Sequence, residues 1–229
     1  MIRKVNHLRG YYVHRIVFIS ERESIMHSLR HTLITALVAF GLMGPTAALA
    51  YANPEQKAKR IGTSVQAKSV KQRGKDVSWG MATTVVHAPL HVVEGIILDY
   101  SKYHEFFPHL DTSKVLVRRK AKAMLYLETK IMKGAKTLWA QVRVAPKHKE
   151  GSATRVIDAR MIRGNMDTFW ARWEFTPVRD GRSTLVSFRM LVDPDLPLPN
   201  ALFNRYNLKL SKKVIRNFQK RVHARFRRN

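Results

Sequence analysis

The chain contains no cysteine. That excludes a disulfide scaffold, a cysteine-ligated zinc or iron–sulfur centre, a thiol nucleophile and a lipid-modified cysteine start. Acids are scarce too, 16 Asp+Glu against 42 Lys+Arg, a formal net charge of +26. Eleven Gly and nine Pro are too few for a low-complexity or collagenous chain, and 45% hydrophobic with 25% charged is the composition of a globular protein. There is no nucleophile elbow, phosphate-cradling glycine loop or dinucleotide fingerprint. At 229 residues the chain can bury a real core, enough for one ordinary domain and a shorter segment besides.

A long uncharged run does occur, at residues 32–50 (TLITALVAFGLMGPTAALA). His27, Arg30 and His31 precede it, and Ala48, Leu49 and Ala50 close it. A basic flank, an apolar run and small residues at its end describe a secretory signal, with cleavage expected after Ala50. Gly41, Gly44 and Pro45 interrupt the run and make it a poor permanent membrane helix. Residues 1–25 are too long for a signal's basic start, so translation from Met26 is expected. Past residue 50 the chain still has 36 Lys/Arg against 14 acids. For an exported, periplasmic protein the natural counter-charge is an anionic membrane surface or an acidic partner, not nucleic acid. The expected organisation is a doubtful extension at 1–25, a signal at 26–50, a basic linker at 51–75 and a folded domain at 76–229. The linker assignment rests on one acid, seven Lys/Arg and few large apolar groups in that stretch.

The folded part opens with a strand pattern at 77–87, broken at Ala88-Pro89. A helix is expected over 89–100, with Val92, Val93, Ile96, Ile97 and Tyr100 on one side, then a second short helix to residue 107. Strand patterns follow at 114–118, 123–132, 137–145, 153–161, 168–176 and 183–192. After the proline-punctuated stretch 193–199, a long helix is expected over about 200–225. Consecutive strands with short links imply an antiparallel sheet. The fold class is therefore α+β, in the order β-α-α-β6-α, with the C-terminal helix lying across a curved sheet.

Strand alternation assigns the faces. Leu138, Ala140, Val142 and Val144 share one side, as do Leu125, Leu127 and Ile131, then Phe169, Ala171, Trp173 and Phe175, then Val186, Phe188 and Met190. The last helix offers Leu202, Phe203, Tyr206, Leu210, Val214, Phe218 and Val222 at nearly four-residue steps. Periodicity leaves two readings open, a solid core or a hollow for an apolar ligand.

Three stretches carry a resemblance. These are VVHAPLHVVEGIILDYSKYHEFFPHL (85–110), FWARWEF (169–175) and DGRSTLVSFRMLVDPDLPLPNALFN (180–204). Together they resemble the helix-grip superfamily of START-like lipid-transfer and polyketide cyclase-like (SRPBCC) proteins, closest to the coenzyme Q-binding branch. The resemblance implies a cavity between sheet and last helix that takes a hydrophobic small molecule such as a lipid, quinone or isoprenoid. Its walls are expected from Phe169, Trp173, Phe175, Phe188, Met190, Phe203, Tyr206 and Leu210. Membrane docking is expected through Arg205, Lys209, Lys212, Lys213, Arg216 and Lys220, which recur at three- and four-residue steps on the last helix without interleaved acids.

No residue qualifies as catalytic. His87 and His91 are four apart but straddle Pro89, and Pro108 breaks the spacing of His104, Glu105 and His109, so no metal and no cofactor is expected. Glu128 and Glu174 fall on polar strand faces, and Asp158 lies on a strand that alternates poorly. Two alternatives stay open. One is a cyclase- or hydratase-like enzyme in the same pocket; the other is a basic scaffold with a filled core.

Overall fold

The structure is a computed structural model that describes residues 53–226, apart from 75, 108, 109, 149 and 150. Eight strands form one antiparallel sheet: β1 (Gln66–Val70), β2 (Trp79–Val86), β3 (Thr112–Arg119), β4 (Lys122–Ile131), β5 (Lys136–His148), β6 (Arg155–Gly164), β7 (Thr168–Val178) and β8 (Ser183–Asp193). Their spatial order is β1-β2-β8-β7-β6-β5-β4-β3. From β3 to β8 each strand pairs with the next along the chain, as short turns require. The path from β2 crosses to the far edge through α2 (Leu90–Leu98), a 3-10 turn (Tyr100–Lys102) and α3 (Tyr103–Phe106). The chain then returns to pair β8 with β2, and α4 (Asn200–Phe226) lies against the sheet. This is the expected α+β helix-grip order, with two elements added before it.

Those additions lie in the stretch 51–75 that the sequence presents as a linker. Its residues form α1 (Pro54–Ile61) and the edge strand β1. Asn53 caps α1, its side-chain oxygen accepting from the Glu55 amide at 3.0 Å, and Pro54 opens the helix. Two apolar residues anchor it, Ala58 and Ile61, buried with Val85, Val178 and Leu185 on the sheet face away from α4. β1 is exposed along nearly its whole length and is held by backbone pairing to β2. Neither element needs an apolar stripe, so periodicity could not announce them. The signal and extension at 1–50 lie outside the described residues.

α4 is 27 residues long, about 40 Å at 1.5 Å per residue. Its seat is specific. Asn207 is fully buried, its amide donating to the carbonyls of Ser78 and Val192 at 3.2 Å, and its oxygen accepting from the Val192 N–H at 3.1 Å. Gly80 of β2 lies so close beneath that a Cβ would run into the Asn207 carbonyl, so only glycine fits. Further along, Gln219 donates to the Thr63 carbonyl and the Thr84 hydroxyl at 2.8 and 2.7 Å. Val214, Ile215, Phe218 and Val222 join the main core with Val93, Ile96 and Ile97 of α2. Asn207, Ser211 and Ile215 are buried although they stand beside the expected stripe, while Leu202 at its start is 48% exposed. The stripe drifts because α4 meets the sheet edge at one end and α2 and α3 at the other.

Candidate functional site

Over part of the interface between the inner face of the sheet and α4 the side chains do not meet. They leave an apolar hollow that is partly open to solvent. The reason is visible in the strands. β5 presents Leu138, Ala140, Val142 and Val144 inward, β6 Ile157 and Ala159, and β7 Ala171, so the middle of the curved sheet carries short side chains. The aromatic rings stand to one side. Trp173 packs against Phe188 with ring centres 4.4 Å apart, and against Phe218 at 5.1 Å.

Of the eight expected wall residues, Phe169, Trp173, Phe188, Met190, Tyr206 and Leu210 line the hollow. Phe175 does not. It is fully buried behind Trp173, stacked on it at 5.8 Å and near Phe218 at 6.5 Å, so it supports the wall from within the core. Phe203 belongs to a separate cluster with Val77, Trp79 and Leu191, where the start of α4 meets the sheet edge. Both share the helical or strand period of true wall residues. Period tells the face and not the distance along it.

The opposite wall was not in the expected set. Tyr103, Phe107 and Leu110 come from α3 and the segment after it. Phe107 lies 6.4 Å from both Trp173 and Phe188 and 5.0 Å from Tyr103, ring centre to ring centre. The aromatic run of residues 103–107 was the available signal. Leu125, Leu127, Leu138 and Met166 complete the lining, the first three already on the apolar face by alternation.

Polar groups at the hollow are few. Tyr103 donates its hydroxyl to the Ile97 carbonyl at 2.9 Å, and burial pushes its pKa well above the ordinary tyrosine value. Burial also raises Tyr206. Glu128 is among the lining residues, and its carboxylate accepts from the Tyr126 hydroxyl at 2.8 Å. Among the described residues no group of three His, Cys, Asp or Glu could hold a metal ion; His87, His91 and His104 are exposed.

Asp158, ambiguous in the sequence, is 3% exposed and lies on the outer face. It pairs with Arg172, Nη2 to Oδ2 at 2.8 Å, and with Lys147 at 2.8 Å. Burial opposes its ionisation, but the hydrogen bonds and charges of Arg172 and Lys147 prevail and hold its pKa at about 2, below the ordinary 3.8. It is a structural ion, remote from the hollow. Of the expected docking cations on α4, Arg205, Lys209, Lys213, Arg216 and Lys220 are exposed and Lys212 is half-buried. No helix among the described residues is long and apolar enough to cross a membrane.

Residues 86–219 match the family model described as polyketide cyclase / dehydrase and lipid transport. No curated protein matches the chain. Among solved structures, a STAR-related lipid transfer protein from Xanthomonas axonopodis superposes with a TM-score of 0.60 at 12% identity, covering 69% of this chain and 93% of that one. Human StAR-related lipid transfer protein 5 gives 0.58 at 14%, covering 72% and 85%. The Zhui aromatase/cyclase from Streptomyces sp. R1128 gives 0.51 at 14%, covering 70% and 96%. At such identities the likeness is one of fold.

Proposed function

The chain belongs to the polyketide cyclase / dehydrase and lipid transport family, and on that premise we propose that it is an exported protein that binds or transfers a hydrophobic small molecule of lipid, quinone or isoprenoid type. The observation that carries the reading is the open, almost wholly apolar hollow between sheet and α4. An apolar ligand gains about 25 cal/mol for each Å² it removes from water there. The START-like neighbours support binding of this general kind. Export rests on the signal pattern of residues 32–50.

Docking on an anionic bilayer is the second part of the proposal. The exposed cations of α4 lie on the helix that also walls the hollow, and each cation near such a surface adds about 1 kcal/mol.

An enzyme in this pocket needs an acid or base able to reach a bound substrate. Among the described lining residues the only carboxylate is Glu128, already engaged by Tyr126, which favours carriage over turnover. The test is mass spectrometry of solvent extracts from the protein purified out of its native envelope without detergent. A stoichiometric hydrophobic compound is the expected result. A clean extract, repeated after incubation with anionic liposomes, overturns the proposal and leaves the basic surface as the functional one.

A further inference from the structure

We infer that the cargo is uncharged: a long apolar body ending in a hydroxyl or carbonyl, and not a fatty-acid or phosphate anion. The inference rests on the reading above that the hollow holds a ligand, and names its class.

It comes from a contrast. The chain has 42 Lys and Arg, yet none is among the 23 described residues that line the hollow. Among the described lining residues Glu128 is the one carboxylic acid, and its carboxylate is bonded to Tyr126, whose ring stacks on Trp139 at 6.1 Å. Tyr126 and Trp139 alternate with the inward Leu125, Leu127, Leu138 and Ala140, so that pair belongs to the outer side of the sheet. The Tyr103 hydroxyl is committed to the Ile97 carbonyl. Two hydroxyls remain, on Tyr206 of α4 and Thr129 near the end of β4, and neither has a hydrogen-bond partner among the described residues.

An anionic headgroup drawn into this space would find no Lys or Arg among the described lining residues, and burying an unpaired ion costs several kcal/mol. A neutral hydroxyl or carbonyl needs only one or two hydrogen bonds, which two free hydroxyls can give or accept. Both lie at the sheet end where β4 finishes and α4 begins, while the far end is closed by apolar groups such as Val144, Ile157 and Val214. The polar end therefore lies beside Tyr206 and Thr129, and the apolar body extends towards Val144, Ile157 and Val214. The basic exterior attracts anionic lipid as a surface, and the interior declines it as cargo.

The experiment displaces the neutral fluorophore N-phenyl-1-naphthylamine from the full chain with three competitors of equal chain length: 1-dodecanol, laurate and dodecane. At about pH 8 dodecanol is expected to displace it at roughly tenfold lower concentration than laurate, and the gap is expected to close near pH 5 as laurate becomes neutral. Tyr206→Phe and Thr129→Val are expected to bring dodecanol about fivefold closer to dodecane while dodecane itself is unchanged. Laurate equal to or better than dodecanol at pH 8 overturns the inference while leaving the hollow intact. Failure of the fluorophore to bind, or of all three competitors to displace it, sinks the hollow as a binding site and the inference with it.

Discussion

The two faces of the one sheet follow opposite chemistries on alternate residues of the same strands. On the inner side β7 places Phe169, Ala171 and Trp173; on the outer side the same strand places Trp170, Arg172 and Glu174. The inner face has room and almost no charge. The outer face is crowded with ions that find one another. Arg172 and Lys147 hold Asp158, Arg189 holds Glu174 at 2.8 Å, Arg160 lies 4.0 Å over the Trp170 ring, and Trp79 meets Trp170 edge-on at 4.4 Å. The outer face therefore contributes order through pairing, whereas the inner face leaves surface unpartnered. An unfilled apolar space forfeits dispersion contacts, and that deficit is what a ligand would relieve.

The largest expected effect comes from breaking the inner wall. Trp173→Ala removes the ring that contacts Phe188, Phe175 and Phe218 and is expected to cost about 3–5 kcal/mol in urea unfolding. A loss under about 1 kcal/mol would mean that the rings re-close and that the wall is not rigid.

On the outer face, Asp158→Ala leaves Arg172 without its buried partner. The expected cost is about 2–3 kcal/mol, less than for a fully buried pair because the cations reach solvent. The pH dependence has a definite sign. With a folded pKa of about 2 against an ordinary 3.8, ionised Asp158 contributes fully above the unfolded value, and the contribution is lost as pH falls towards about 2. An unfolding series from pH 5 to about pH 2 should show a steeper acid decline in the parent than in Asp158→Asn.

Filling the hollow separates binding from stability. Ala159→Phe adds a ring to a lining position and is expected to change stability by about 1 kcal/mol or less, since there is space to receive it, while abolishing fluorophore binding. A cost above about 3 kcal/mol would show the site already filled. Reversing Arg205, Lys209, Arg216 and Lys220 to Glu has the smallest effect on folding, about 0.5 kcal/mol or less for each exposed site. The same variant is expected to lose sedimentation with vesicles rich in anionic lipid. Retained vesicle binding would move the docking surface off α4.

Much of this was legible in the residues. Alternation assigned the inner face of β4, β5, β7 and β8 correctly. The exposed cations of α4 were equally readable. Three things were not. α1 and β1 hid in a basic stretch because one cap, two buried residues and backbone pairing suffice to hold them. Asp158 looked ambiguous because its strand alternates poorly, and its partners, Lys147 and Arg172, come from the two neighbouring strands. Phe175 and Phe203 stood in phase with wall residues yet lie beside the hollow, one behind Trp173 and one at the sheet edge.

The sequence by itself determined the fold class, the order of strands and helices from β2 onward, and which side of β4, β5, β7 and β8 avoids water. Those are consequences of local covalent geometry, a period of two on strands and of 3.6 on helices. Only the tertiary structure decided that the apolar side encloses space. A volume is the gap between two surfaces, here a curved sheet with small side chains such as Ala140, Ala159 and Ala171, and a helix seated closely on the sheet where Asn207 meets β2 and β8. No single segment encodes that separation.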